Sequence, residues 1–237
     1  MVDFKKEDNR NEFINFKNET LNNIKQYLES SLSDNQKRCA SIVYWLNDYI
    51  KYLKFENRFS ASYLPIYKYG SVIDVNLGFN VGDEFGGKHY CVVLNKNDNK
   101  KNKLLTVVPL SSLKENKTIK DLNKSEVYLG SSLYDLLTMK YKTEINTYKK
   151  MIEELYADKN IDINNLERGI NKTEKRLNKI KHLKKGSYAR CSQITTISKM
   201  RIFDPKNNED GLIDINLPKE NMIKISKTIQ KLFLEKF

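Results

Sequence analysis

Between residues 12 and 29 the apolar side chains Phe13, Phe16, Leu21, Ile24, Tyr27 and Leu28 recur mostly at three- and four-residue steps, which predicts an amphipathic helix. Ser33 and Gln36 have the spacing of a capping box and predict the start of a second helix. Its stripe is Cys39, Ile42, Val43, Leu46, Tyr49, Ile50 and Leu53, ending near Phe55, so the first part of the chain reads as a helical hairpin. Beyond Pro65 the period shortens to two. Residues 69–77 alternate apolar and polar, a glycine-rich turn occupies 82–87, and 90–94, 104–110 and 126–129 read as further strands. Short polar turns between them predict a small antiparallel barrel or a strongly bent sheet.

A helical period then returns. Leu133, Leu137, Tyr141, Ile145, Tyr148, Ile152 and Leu155 form one stripe; Ile163, Leu166, Ile170, Thr173, Leu177 and Ile180 form another. With a turn at 157–161, their near-heptad spacing predicts an antiparallel coiled-coil arm. Strands at 187–191 and 193–197, a loop at 204–211 and a last helix complete the pattern. Pro218 suits that helix's first turn, and Met222, Ile225, Ile229, Leu232 and Phe233 form its apolar face. The expected fold class is α+β: an N-terminal helical extension over 1–64, then a β-rich domain over 65–237 interrupted by a helical insertion at 131–185.

Composition narrows this little, except in charge. With 39% hydrophobic and 30% charged residues the chain is ordinary for a globular protein, and no apolar run reaches the ~18 residues of a membrane span. The N-terminus has no secretory pattern, so a cytoplasmic protein is expected, with no membrane partner. Three scattered cysteines (Cys39, Cys91, Cys191) suit buried free thiols, and with two histidines and no C-x-x-C neither a metal site nor a cofactor is expected. The net charge of +12 predicts a polyanionic partner, nucleic acid first. No acidic residue occurs from Lys175 to Phe203, while Lys175, Arg176, Lys179, Lys181, Lys184, Lys185 and Arg190 accumulate there, a positive stripe suited to an RNA backbone. The arm is therefore expected to serve RNA or partner binding rather than the core.

Residues 82–95 concentrate the candidate chemistry: flexible glycines, Glu84 and His89 run directly into an apolar strand. This segment, Tyr69-Gly70-Ser71-Val72-Ile73-Asp74-Val75 before it, Val107-Val108-Pro109-Leu110-Ser111-Ser112 after it, and residues 192–202 (Ser-Gln-Ile-Thr-Thr-Ile-Ser-Lys-Met-Arg-Ile) together resemble, in order and spacing, the PemK/MazF family of toxin endoribonucleases. The resemblance covers about half the chain, by motif counting, and neither helical hairpin belongs to it. It implies an SH3-like antiparallel β-barrel, a homodimer, metal-independent cleavage of single-stranded RNA, growth arrest, and a cognate antitoxin. The sequence departs from the family pattern in four places. His89 stands where the family carries its catalytic arginine, Tyr90 replaces the next proline, Ser111 replaces a threonine, and Thr195 replaces an arginine.

Cleavage of this kind drives the 2′-hydroxyl onto the adjacent phosphorus, leaving a 2′,3′-cyclic phosphate and a 5′-hydroxyl. It needs a base, an acid and donors for the phosphoryl charge. His89 can transfer the proton, Ser111 can donate to a phosphate oxygen, and Glu84 can orient His89 or assist as base. Lys88, Lys199 or Arg201 can supply the charge that an arginine at position 89 would have carried. Lys179, Lys181, Lys184, Lys185 and Gln193 complete the expected RNA contacts. Two other readings fit the same sequence: a non-catalytic RNA-binding barrel, and a protein-directed toxin like the gyrase poison CcdB, whose tryptophan-containing tail the chain lacks.

Overall fold

A computed structural model describes residue 3 and residues 5–155 and 163–234, which fall into two units, Met1–Phe55 and Glu56–Phe237. The first is a hairpin of α1 (Arg10–Asp34) and α2 (Gln36–Phe55). The helix start expected from Ser33 lies two residues later. Ser33 remains in the last turn of α1, and Asn35 is the cap, its Oδ1 accepting from Arg38 N at 3.0 Å. Cys39 Sγ donates to Leu28 O across the hairpin, and the Trp45 ring packs on Tyr49 and Tyr52.

Among the described residues the second unit holds seven strands and three helices: β1 (Val72–Asn76), β2 (Lys88–Val93), β3 (Leu104–Ser112), β4 (Glu126–Gly130), α3 (Ser132–Leu155), α4 (Ile163–Lys179), β5 (Ser187–Arg190), β6 (Thr195–Ser198), β7 (Ile202–Asp204) and α5 (Lys219–Phe233). The strands form one antiparallel sheet in the order β4-β5-β3-β2-β1-β7, with β6 also on β3. The α+β class holds, but the implied barrel is not closed. Among the described residues the outer strands β4 and β7 have one ladder each, and β6 reaches β7 through a 3-10 turn, Lys199–Arg201, rather than by pairing. The short strand β7 has no separate signal in the sequence pattern.

The sheet is covered on both faces, which explains why its central strands read as nearly unbroken apolar runs. Successive side chains point to opposite faces. Val72, Val92, Val108 and Leu110 therefore join one core with Leu133, Leu137, Met222 and Ile225 of the helices, while Ile73, Val75, Cys91, Val93, Leu105 and Val107 join another with Leu64, Tyr67, Ile197 and Ile202. The root of the arm belongs to the first core, through Leu133, Leu137, Tyr141, Ile180 and Leu183. The expectation that the arm stays outside the core is thus corrected: its first two turns lie against the sheet. The turn expected at 157–161 lies outside the described residues. In α5, Met222 and Ile225 are buried, whereas Leu232 and Phe233 of the expected face are exposed. All three cysteines are free and buried.

Lys199 is fully buried. Its ammonium meets both Asp98 carboxylate oxygens, at 2.7 and 2.9 Å, and the Asn99 carbonyl at 3.2 Å. Asp98 Oδ2 also accepts from Tyr67 N. The pair ties the β2–β3 turn to the segment entering the sheet and to the β6–β7 corner. The expected role of Lys199 in holding RNA is therefore corrected: its charge is spent inside the protein. Lys199→Met leaves the Asp98 carboxylate buried without a countercharge and should cost about 3–5 kcal/mol, read from the urea unfolding midpoint. Adding Asp98→Asn should restore part of that loss.

Candidate functional site

The glycine turn is held by its own backbone and by one distant side chain. Gly87 N donates to Gly78 O at 2.6 Å and Leu77 N to Gly87 O at 2.8 Å, closing the turn over the end of β1. Gly87 has φ +89°, and a Cβ on Gly86 would stand 2.6 Å from Gly78 O, so these two positions require glycine. Gln193, expected to contact RNA, is a latch: its Oε1 accepts from Phe85 N at 3.2 Å. The turn thereby places Phe85 and His89 against each other, ring centroids 4.3 Å apart.

His89 and Ser111 open onto the same cavity of about 570 Å³, lined also by Asp74, Lys88, Lys179, His182 and Arg190. The group that joins the two is Arg190. Its Nε donates to Ser111 Oγ at 2.9 Å, a second nitrogen donates to Tyr188 Oη at 2.9 Å, and the guanidinium lies 4.5 Å over the Phe85 ring. Glu126, directly opposite on β4 and nearly buried, stands 3.5 Å from Arg190 Nη1. Because Ser111 Oγ accepts from Arg190, its own proton is left for an incoming oxygen.

Burial lowers the His89 pKa below its ordinary 6.5, the Arg190 charge lowers it further, and a hydrogen bond with Gly86 opposes them. The ring is therefore neutral at neutral pH and able to accept a proton. On the same wall, burial pushes the Asp74 carboxyl up, opposed by Lys88 at 3.4 Å. Burial, with Asp74 and Asp204, pushes the Tyr90 phenol up to about 12.

The remaining sequence candidates separate. Lys88 and Lys179 line the cavity. Lys181 and Lys184 are exposed, and Lys185 donates to the carbonyls of Lys114 and Glu115. Glu84 is exposed and lines a neighbouring cavity with Gln193 and Arg201, so it is not placed to orient His89. Arg201 Nε donates to Asn76 O at 2.7 Å. Arg190 was legible only as one more cation in the basic run. The signal that singles it out is strand alternation, which turns Tyr188 and Arg190 to one side of β5.

Residues 68–146 match the sequence model of the PemK-like, MazF-like toxins of type II toxin-antitoxin systems. This segment is a PemK/MazF toxin domain. The match takes in the glycine turn, His89, Ser111 and the first part of α3, and stops before Arg190. No curated protein matches the chain. The match over this segment supports a toxin of a type II toxin-antitoxin system, a class that implies an antitoxin as partner. Among the described residues no helix is long and apolar enough to cross a membrane.

Arg190→Gln strips Glu126 of its cation and Ser111 of its donor. The expected loss is about 1.5–3 kcal/mol of stability, measured by denaturant unfolding. Combining it with Glu126→Gln should recover about half of that loss.

Proposed function

We propose that this toxin is an endoribonuclease that cuts single-stranded RNA without a metal, leaving a 2′,3′-cyclic phosphate and a 5′-hydroxyl. The observation that carries the reading is the convergence of a neutral histidine, a hydroxyl with a free proton and an arginine in one cavity. In this reading His89 takes the proton of the 2′-hydroxyl as its oxygen attacks phosphorus. Arg190 and Ser111 donate to the non-bridging oxygens, where charge accumulates in the transition state. Arg190 thus supplies from β5 the positive charge that position 89 lacks. The leaving 5′ oxygen has a proton source on the cavity wall in the Tyr90 phenol. A cytoplasmic homodimer neutralised by its antitoxin, with growth arrest when free, completes the proposal.

Purified protein in EDTA should cleave a mixed-sequence single-stranded RNA to cyclic-phosphate products. His89→Ala should slow this by ~10²–10⁴-fold, the usual worth of a general base, and Ser111→Ala by less. Intact RNA after incubation with every preparation would defeat the reading, and retained binding would leave a binding module in its place.

The pH profile gives a separate check. The base must be neutral, so kcat/KM should fall as pH drops through a limb below 6.5, because burial and Arg190 lower the His89 pKa. Arg190→Gln removes a positive neighbour and should move this limb to higher pH. A limb that stays in place would show that His89 is not the group titrating.

A further inference from the structure

The basic residues of α4 are sorted by face. Arg168, Lys172, Lys175 and Lys179 recur at steps of four, three and four, and His182 follows three later. At 3.6 residues per turn they form one row opposite the seam of Ile163, Leu166, Ile170 and Leu177. All five are exposed. Glu167 and Glu174 lie about 100° away round the helix, and Arg176, also off the row, turns to Glu144 at 3.7 Å. Among the described residues none of the row's lysines has a salt-bridge partner, unlike a solvated helix face laced with i,i+4 pairs.

The row leads somewhere. Lys179 and His182 line the cavity of His89, Ser111 and Arg190, while Lys179 also lines a second concavity with Arg168, Lys172 and Lys175. His182 is fixed at the junction, its Nδ1 donating to Lys179 O at 2.7 Å. From Arg168 to Lys179 the helix rises ~16 Å, a length on which several nucleotides can lie.

We infer that α4 is a track for RNA outside the cleaved step, holding the phosphates of the strand as it leaves the cavity. The inference rests on the proposed ribonuclease reading and adds to it the surface that grips the flanking nucleotides. A protein partner fits the row poorly: among the described residues the face carries Asn164, Asn165, Asn171 and cations, without the apolar or aromatic anchor around which protein interfaces are built. A polyanionic backbone needs no such anchor.

The test is binding of non-cleavable 2′-O-methyl oligonucleotides of about twelve and about four nucleotides, over a range of salt. Arg168→Gln, Lys172→Gln and Lys175→Gln together should lower the salt slope for the longer oligomer by about 2, at about 0.7 per phosphate. That corresponds to roughly hundredfold weaker binding near 0.1 M salt, with a much smaller change for the shorter one. The control removes equal charge from exposed positions of α3: Lys142→Gln, Lys149→Gln, Lys150→Gln. An unchanged slope in the α4 variant, an equal loss in the α3 control, or loss of binding to poly-glutamate with RNA affinity intact would overturn the track. Circular dichroism confirms that both variants remain folded. Because the probes cannot be cleaved, the two ideas fail separately. Wild-type protein that binds with the full slope but never cuts RNA loses the reaction and keeps the track; protein that cuts RNA while the α4 variant keeps its slope loses only the track.

Discussion

The return chain from Ser187 to Ser198 must run along one edge of β3, and that edge contains a proline. Thr106 turns its N–H and C=O toward β2, donating to Asn95 Oδ1 and accepting from Leu94 N. Backbone direction alternates along a strand, so the nitrogen of Pro109 faces the return chain and has no hydrogen to give. The chain pairs with β3 as β5 at Leu110–Ser112, leaves it opposite Pro109, and pairs again as β6 from Val107. The gap is taken up by the 3-10 turn Cys191–Gln193, whose first N–H carries the β4–β5 pairing one step further, to Ser125 O. What lies at the two ends of this break decides the site. Arg190, the last residue of β5, drops into the cavity beside Ser111, and Gln193, the last of the turn, holds the glycine loop that carries His89.

This explains how a histidine can occupy position 89 without leaving the cavity short of charge. An arginine is a fixed cation that gives up its proton poorly, whereas a histidine transfers protons and clamps charge weakly. In the proposed reaction the two properties belong to two residues. The Phe85 ring touches both, at 4.3 Å from His89 and 4.5 Å from Arg190, so the aromatic side chain sets their spacing. Burial lowers the imidazole pKa, and the Arg190 charge lowers it further. Glu126, opposite on β4, holds the guanidinium from behind, which leaves its Nε aimed at Ser111.

Much of this arrangement was legible from residue pattern, and the parts that were not have a common cause. Period and turn chemistry marked every helix and the strands around Val72, Val92, Val107 and Ala189, because each buries a face whose repeat survives in sequence. Strand β7 was missed because three residues cannot establish a period. The closed barrel failed because closure depends on which edges meet, and Lys199–Arg201 forms a corner where a ladder was expected. Side-chain roles were harder still. Lys199 and Arg201 read as surface cations because nothing local reveals that Asp98 and Asn76, roughly a hundred positions earlier, take their donors. Arg190 stood unremarked among neighbouring lysines for the same reason. Its partners, Ser111, Glu126 and Phe85, come from three other segments, so only the register of the sheet identifies it.

The position of the α3–α4 hairpin follows from that register as well. Gly130 and Ser187 are paired across β4 and β5, so residues 131 and 186 leave and rejoin the sheet side by side. A hairpin of any length can be added between such neighbours without disturbing the ladder, since only the loop is lengthened. The place of the hairpin bears on the cavity, however. Because β5 carries Arg190 and pairs with the Ser111 end of β3, the chain that precedes β5 must re-enter the sheet at the cavity. Leu133 and Leu183 seal that root into the core and also line the cavity, which gives the arm a fixed base rather than a tether. A charged row on α4 is thereby delivered to the cavity's wall by chain topology, through Lys179 and His182, with no separate contact needed to position it.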